Sequence, residues 1–192
     1  ISLLASSRTA RTQEDRYPVN RRLTILAVLM APLITGVVSL GMAACAHAPR
    51  SGPELLTVAE RSFSDIPFGT REGVPGLTMV IEGQCQEWGE CSYADANGVE
   101  HYFREGELVV KAYAFTEGDT RPSPVLGIGT ARHMDAVLSR VERFLPEVEI
   151  ECRPEPDHGQ TCGATLGEGW INLQFDRDGR IREARLDAYH FT

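Results

Sequence analysis

Ile171-Asn172-Leu173-Gln174-Phe175-Asp176-Arg177-Asp178-Gly179-Arg180, with the run from Ile181 to Tyr189 behind it, decides the fold. Ile171, Leu173 and Phe175 alternate with polar residues, the period of a strand that buries one face. Asp176-Arg177-Asp178-Gly179 is turn chemistry, so the two runs predict an antiparallel hairpin. Upstream, Val148, Ile150 and Cys152 alternate as another strand. Before that, Met134, Val137, Leu138, Val141, Phe144 and Leu145 recur at helical spacing. They predict an amphipathic helix that Thr130 caps and Pro146 stops. A helix followed by antiparallel strands makes this half α+β.

The same order recurs earlier in the chain. Phe68-Gly69-Thr70 matches Ile128-Gly129-Thr130, Cys85 and Cys91 match Cys152 and Cys162, Tyr102-Phe103 with Gly106 matches Leu173-Gln174-Phe175 with Gly179, and Ala112-Tyr113-Ala114-Phe115 matches Ala188-Tyr189-His190-Phe191. The expectation is two tandem helix-plus-antiparallel-sheet units forming one compact domain, over 54–118 and 119–192. In the first unit, strands are predicted near Leu77–Glu82, Val99–Phe103 and Leu108–Phe115, the last two joined at Gly106. Pro75 and Gly76 limit the segment after Thr70 to a single helical turn. Ahead of it, Ser51-Gly52-Pro53-Glu54 reads as a capping box with Pro in the first turn, opening a helix with Leu55, Val58, Ala59 and Phe63 on one side.

Composition fits a globular chain: 42% hydrophobic and 24% charged residues in 192. Asn20-Arg21-Arg22 followed by Leu23–Ala44 without a charge has the layout of an export signal. Met42-Ala43-Ala44-Cys45 resembles the bacterial lipobox, which implies lipidation of Cys45 and cleavage before it. Two other readings are cleavage after Ala46-His47-Ala48, where Pro49 disfavours the cut, and retention of Leu23–Ala44 as a membrane helix. Residues 1–18 lack an initiator methionine and read as an untranslated or disordered leader, with Val19 fitting a GTG start. The expected organisation is a signal peptide over 19–44, a tether over 45–53 and the two units. The expected location is the periplasmic face of the cell envelope, at the outer membrane because Ala46 rather than Asp follows the cysteine.

Beyond Cys45 the chain holds 14 basic and 25 acidic residues, a net charge near −11. No basic stripe is present to release counterions, so nucleic acid is not an expected partner. Lys111 is the only lysine, which reads as the arginine bias of a high-GC genome. Four cysteines remain in a compartment that permits disulfides. Local pairing, Cys85 with Cys91 and Cys152 with Cys162, is the simplest of three connectivities. A zinc site would want closer ligand spacing, and no metal or cofactor is expected.

From Phe68 to Thr192 the helix opened by Ile128-Gly129-Thr130, the cysteine pairs and the Phe175–Arg180 hairpin give a pattern that resembles the SmpA/OmlA (BamE-like) lipoproteins and the β-lactamase inhibitor protein fold. What the resemblance implies is protein binding by an exposed sheet face rather than catalysis.

No nucleophile elbow, Walker loop or His-Glu-x-x-His sequence occurs. Gly127-Ile128-Gly129 is a tight turn into a helix, since Arg132 stands where a dinucleotide fingerprint needs Gly or Ala. Asp176–Gly179 lacks the distal glutamate of a calcium loop. His101, His133, His158 and His190 have no ligand spacing, and Glu149 with Glu151 shares a solvated strand face. Aromatics carry the binding signal: Trp88 inside the first cysteine loop, and Tyr102, Tyr113, Trp170 and Tyr189 on or beside strands, where rigid rings suit a partner. The expected function is therefore a non-catalytic envelope lipoprotein that binds an envelope protein, an assembly component or an inhibited enzyme. The alternatives are a periplasmic enzyme drawing its acid or base from His101, His158 or nearby carboxylates, and a domain anchored by an uncleaved N-terminal helix.

Overall fold

Glu54 starts the first helix, its carboxylate accepting from the backbone N–H of Ser51 at 2.7 Å and from the Ser51 hydroxyl at 2.9 Å. With Pro53 in the first turn, the local signals fall where a capping box needs them, and helix α1 runs Gly52–Phe63. Its buried side is Leu55, Ala59 and Phe63, with Val58 packed alongside. The computed structural model describes residues 49–80, 89–156 and 159–189.

The strands are β1 (Thr78–Met79), β2 (Glu90–Ala94), β3 (Val99–Arg104), β4 (Glu107–Ala114), β5 (Glu151–Glu155), β6 (Gly159–Leu166), β7 (Gly169–Phe175) and β8 (Ile181–Asp187). They form one antiparallel sheet of order β1-β2-β3-β4-β8-β7-β6-β5. Four sequential strands thus meet four others edge to edge, and the seam is the pairing of β4 with β8, centred on Ala112 opposite Arg185. The mixed α+β class expected from the sequence is what the chain adopts. Both outer edges are blunted among the described residues: β1 pairs over two residues only, and β5 carries Pro154 among Glu151, Arg153 and Glu155.

Helix α2 spans Met134–Phe144 with His133, not Thr130, as its N-cap. Arg132 and His133 explain the delay. They line up beside the β7–β8 turn, with the Met134 N–H donating to the Gly179 carbonyl at 2.8 Å and the Ile181 N–H to the Arg132 carbonyl at 2.9 Å. Backbone groups engaged in this ladder are not free to begin a helix. Similarly, the strand expected from Val148 begins only at Glu151, because Val148 and Ile150 pack against the main core. Two strands escaped the sequence reading: β2, where Cys91 and Tyr93 alternate inward, and β6, where Cys162, Ala164 and Leu166 do so.

One face of the sheet is covered. Val99 and Tyr113 of the first four strands, with Cys162, Leu166, Ile171, Leu173, Phe175, Ala184 and Leu186 of the second four, pack against α1, α2 and the Val125–Gly127 turn in one hydrophobic cluster. A smaller cluster of Cys91, Phe103 and Leu108 lies under Ile66, Phe68, Val74 and Leu77, which belong to the non-helical segment after α1. Gly52 touches the β6–β7 turn so closely that a Cβ there would lie 2.7 Å from the Gly167 Cα, which fixes where α1 meets the sheet.

Candidate functional site

The opposite sheet face belongs to neither cluster, and both helices lie on the first. Its central strand is β4, which presents Val110, Ala112 and Ala114. Side chains alternate across a strand, so these three small residues form a floor between the taller side chains of β3 and β8. β3 contributes Glu100 and Tyr102, and β8 contributes Glu183, Arg185 and Asp187. With strands about 4.8 Å apart, the walls stand roughly 10 Å apart across the floor. Ala114 is exposed, whereas Ala112 is 4% and Val110 2% exposed beneath their neighbours.

Charge on this face is largely paired. Arg185 grips Asp187 through both its Nε and a terminal nitrogen at 2.8–3.1 Å. Arg153 pairs with Glu155 at 3.2 Å, and Arg104 pairs with Glu90. Glu100 and Glu183 are left without an ion pair among the described residues, and both are half-buried. Glu100 accepts the Tyr102 hydroxyl at 2.7 Å. Burial, reinforced by the Glu100 carboxylate, holds the Tyr102 phenol above its ordinary pKa. Burial likewise raises the Glu183 carboxyl, with Glu100 adding to the shift and Arg185 opposing it.

Of the aromatics singled out in the sequence, Tyr102 and Trp170 both lie on this face. They flank the seam, since Tyr102 pairs with Val110, Val110 with Asp187, and Asp187 with Trp170. The Trp170 ring packs against Gly163 of β6, where a Cβ would come within 2.4 Å of its Cζ2. Tyr113, by contrast, points into the core, 8% exposed and edge-on to Phe115 at 4.9 Å. It is therefore a packing residue, because it alternates with Ala112 and Ala114 on the wrong face. Tyr189 is 53% exposed just past the end of β8. Cys45, Cys85, Trp88, His158 and His190 lie outside the described residues.

No family model matches this chain. No curated protein and no solved structure matches it either. Function is therefore read from the residues themselves, and two further features bear on it. Beside the seam, an open depression of about 690 Å³ is lined by Arg153, Gln160, Thr161, Gln174, Arg177 and Arg182. Among the described residues no three His, Cys, Asp or Glu side chains converge on a metal position. Cys152 and Cys162 are bonded across the β5–β6 pair, and Cys91 is disulfide-bonded as well.

His101, a candidate acid or base in the enzymatic reading, is fully buried on the covered face. Its Nε2 lies 2.8 Å from the Ser64 hydroxyl, just past the end of α1. Its β4 neighbour Lys111 is equally buried; the ammonium donates to the Ser64 carbonyl at 3.1 Å and lies 3.6 Å from the Glu60 carboxylate and 5.3 Å from the centre of the Phe68 ring. Glu60 also accepts the Phe68 N–H. A serine within reach of a histidine is a pairing that nucleophilic catalysis uses. Here, however, the ring has no exposed surface, and its partners join the C-terminal end of α1 to the sheet. Sequence reading overlooked Lys111, Glu60 and Ser64, for a lone lysine in a strand carries no local signal of burial. His133 is exposed and serves as the N-cap position of α2.

Proposed function

We propose that this chain is a lipid-anchored protein of the bacterial envelope, tethered through Cys45, whose folded domain binds another protein on the uncovered face of its sheet. The observation that carries the reading is the seam itself. A broad rigid surface presents half-buried aromatic rings and unpaired carboxylates that contribute to neither hydrophobic cluster, a composition suited to a partner's side chains. Blunted edges at β1 and β5 disfavour binding by strand addition, which leaves the face. The surface is also built on strands, so its residues are held without the ordering cost of a loop. We further read the domain as two tandem units. Each consists of a helix followed by four antiparallel strands, and the units meet through their last strands. This arrangement and the matched sequence segments support duplication and the resemblance to the SmpA/OmlA and β-lactamase inhibitor protein folds.

A photo-crosslinking amino acid in place of Ala114, at the seam, should give a discrete adduct with an envelope protein in the producing cell. The same probe at Glu142, exposed on α2, should give none. Equal adducts at both positions, or none at Ala114, would overturn the reading.

A further inference from the structure

His101 and Lys111 are the two fully buried bases among the described residues. They stand opposite each other on β3 and β4, in register on the covered face, where paired side chains lie about 5 Å apart at their Cβ atoms. The last turn of α1 and the chain just beyond it seal them. The Ser64 hydroxyl lies 2.8 Å from His101 Nε2, the Ser64 carbonyl accepts from the Lys111 ammonium at 3.1 Å, and the Phe68 ring stands over that ammonium. Anions here serve one cation only. Glu60 lies 3.6 Å from the Lys111 ammonium and also accepts the Phe68 N–H. Asp65 is exposed, and Asp95 in the β2–β3 turn accepts the N–H groups of Asn97 and Val99 at 2.8 and 3.0 Å. On the β2 side His101 faces Tyr93, and on the β8 side Lys111 faces Leu186. Among the described residues no carboxylate forms an ion pair with the imidazole.

Protonating His101 places a second positive charge beside the Lys111 ammonium, in a site without solvent exposure, where like charges repel strongly and an unpaired charge is costly. Below the pair lies the sheet, which cannot yield without breaking several ladders. Above it, residues 64–77 lie between α1 and β1, are mostly exposed, and are tied to the β3–β4 hairpin by the backbone of Gly69, Thr70 and Glu72. A segment held in this way opens locally at lower cost than a sheet does. We infer that His101 and Lys111 form an acid-sensitive latch: protonation of His101 releases residues 64–77 from the sheet and uncovers the Cys91, Phe103 and Leu108 cluster beneath them. The latch lies on the covered side of the sheet and is independent of the docking face. Burial holds the imidazole below its ordinary value of 6.5, with Asp95 opposing and Lys111 reinforcing the shift. The opened segment accepts the proton more readily than the closed one. Closure is thus fully favoured above pH 6.5 and weakens as pH falls, the open population growing by up to about tenfold per pH unit.

Hydrogen exchange on the detergent-solubilised full chain at about pH 7.5 and about pH 5, corrected for the intrinsic pH dependence of exchange, tests the latch. Protection in residues 64–77 should fall about tenfold or more on acidification, while β6, β7 and β8 keep theirs. His101→Gln stays uncharged and should hold the segment closed at both values. Lys111→Met frees Glu60 to pair with the protonated imidazole, so it should retain more protection than the parent in acid. Thermal unfolding at the higher pH establishes that each variant is folded, and if one is not, the other carries the comparison. No loss of protection in the parent, a loss spread evenly over the sheet, or a loss in either variant equal to the parent's would overturn the latch.

Discussion

Lys111 is the chain's only lysine and has no exposed surface. Burial pulls its ammonium down from 10.5 to about 8, although the Glu60 carboxylate opposes the shift. The unfolded chain thus holds this proton up to pH 10.5 while the folded chain releases it near 8, and stability rises with pH in that interval. Above about pH 10 the raised Tyr102 phenol works in the opposite sense, since the unfolded phenol ionises first. Urea midpoints should therefore climb between pH 8 and 10, and Lys111→Met should abolish that climb. A flat profile in the parent chain would refute the buried, titrating ammonium. Glu183 offers the converse case. Its folded pKa is raised by burial, so ionisation costs stability that is lost as pH rises through the ordinary carboxylate range and stays lost at neutral pH. Glu183→Gln should consequently raise the urea midpoint at pH 7 and leave it unchanged at pH 3. A residue kept at the expense of stability is what a binding surface contains. Both residues were invisible as special in the sequence, because burial depends on neighbours more than 40 positions away.

Elements whose signals are local were legible. The capping box of α1, the apolar stripe of α2, the β3–β4 hairpin at Gly106 and the β7–β8 hairpin at Gly179 all form where propensity and turn chemistry direct them. Where α2 begins was not legible, since Arg132 and His133 are drawn into a ladder with the β7–β8 turn that is absent from the local sequence. β6 was passed over because Gly159, Gly163 and Ala164 lower its apparent strand propensity. Yet Gly163 is required there, to admit the Trp170 ring. At the sheet edge, β5 has a partner on one side only, and the Cys152–Cys162 bond clips it to β6. Removing the bond with paired serine substitutions should cost about 3 kcal/mol by the loop-entropy model. Hydrogen exchange should show the loss first in residues 151–155. Exchange unchanged in β5 would mean that backbone pairing alone holds the edge.

For the whole molecule, a seam between two four-strand halves creates the surface on which the functional proposal rests. Ala112 meets Arg185 there and Glu100 sits one strand away, so residues from both halves form one continuous face. Neither half contains it alone. The N-terminal stretch read as an export signal lies outside the described residues, and among the described helices none is long and apolar enough to cross a membrane. Attachment through Cys45 makes its own prediction. Metabolic labelling with a radioactive fatty acid should mark the parent chain, and Cys45→Ala should lose the label and accumulate as precursor. Normal processing of that variant would refute lipidation.

By itself, the sequence determined the α+β class, the two helices and the two Gly-turned hairpins, and it made Cys152 with Cys162 the simplest of the open cysteine pairings. All of these depend on residues within about ten positions of one another, where hydrophobic period, caps and turn chemistry act directly. Tertiary structure alone decided the rest: β4 against β8, Lys111 and His101 under the end of α1, Tyr113 in the core and Tyr102 on the open face. The physical reason is register. Side chains of a strand alternate between faces, so a slip of one residue in a pairing would exchange the buried and exposed sets. The β4–β8 register joins residues 69 or more positions apart. It is set by the packing of both halves against shared helices, a cooperative condition that no short stretch of sequence contains.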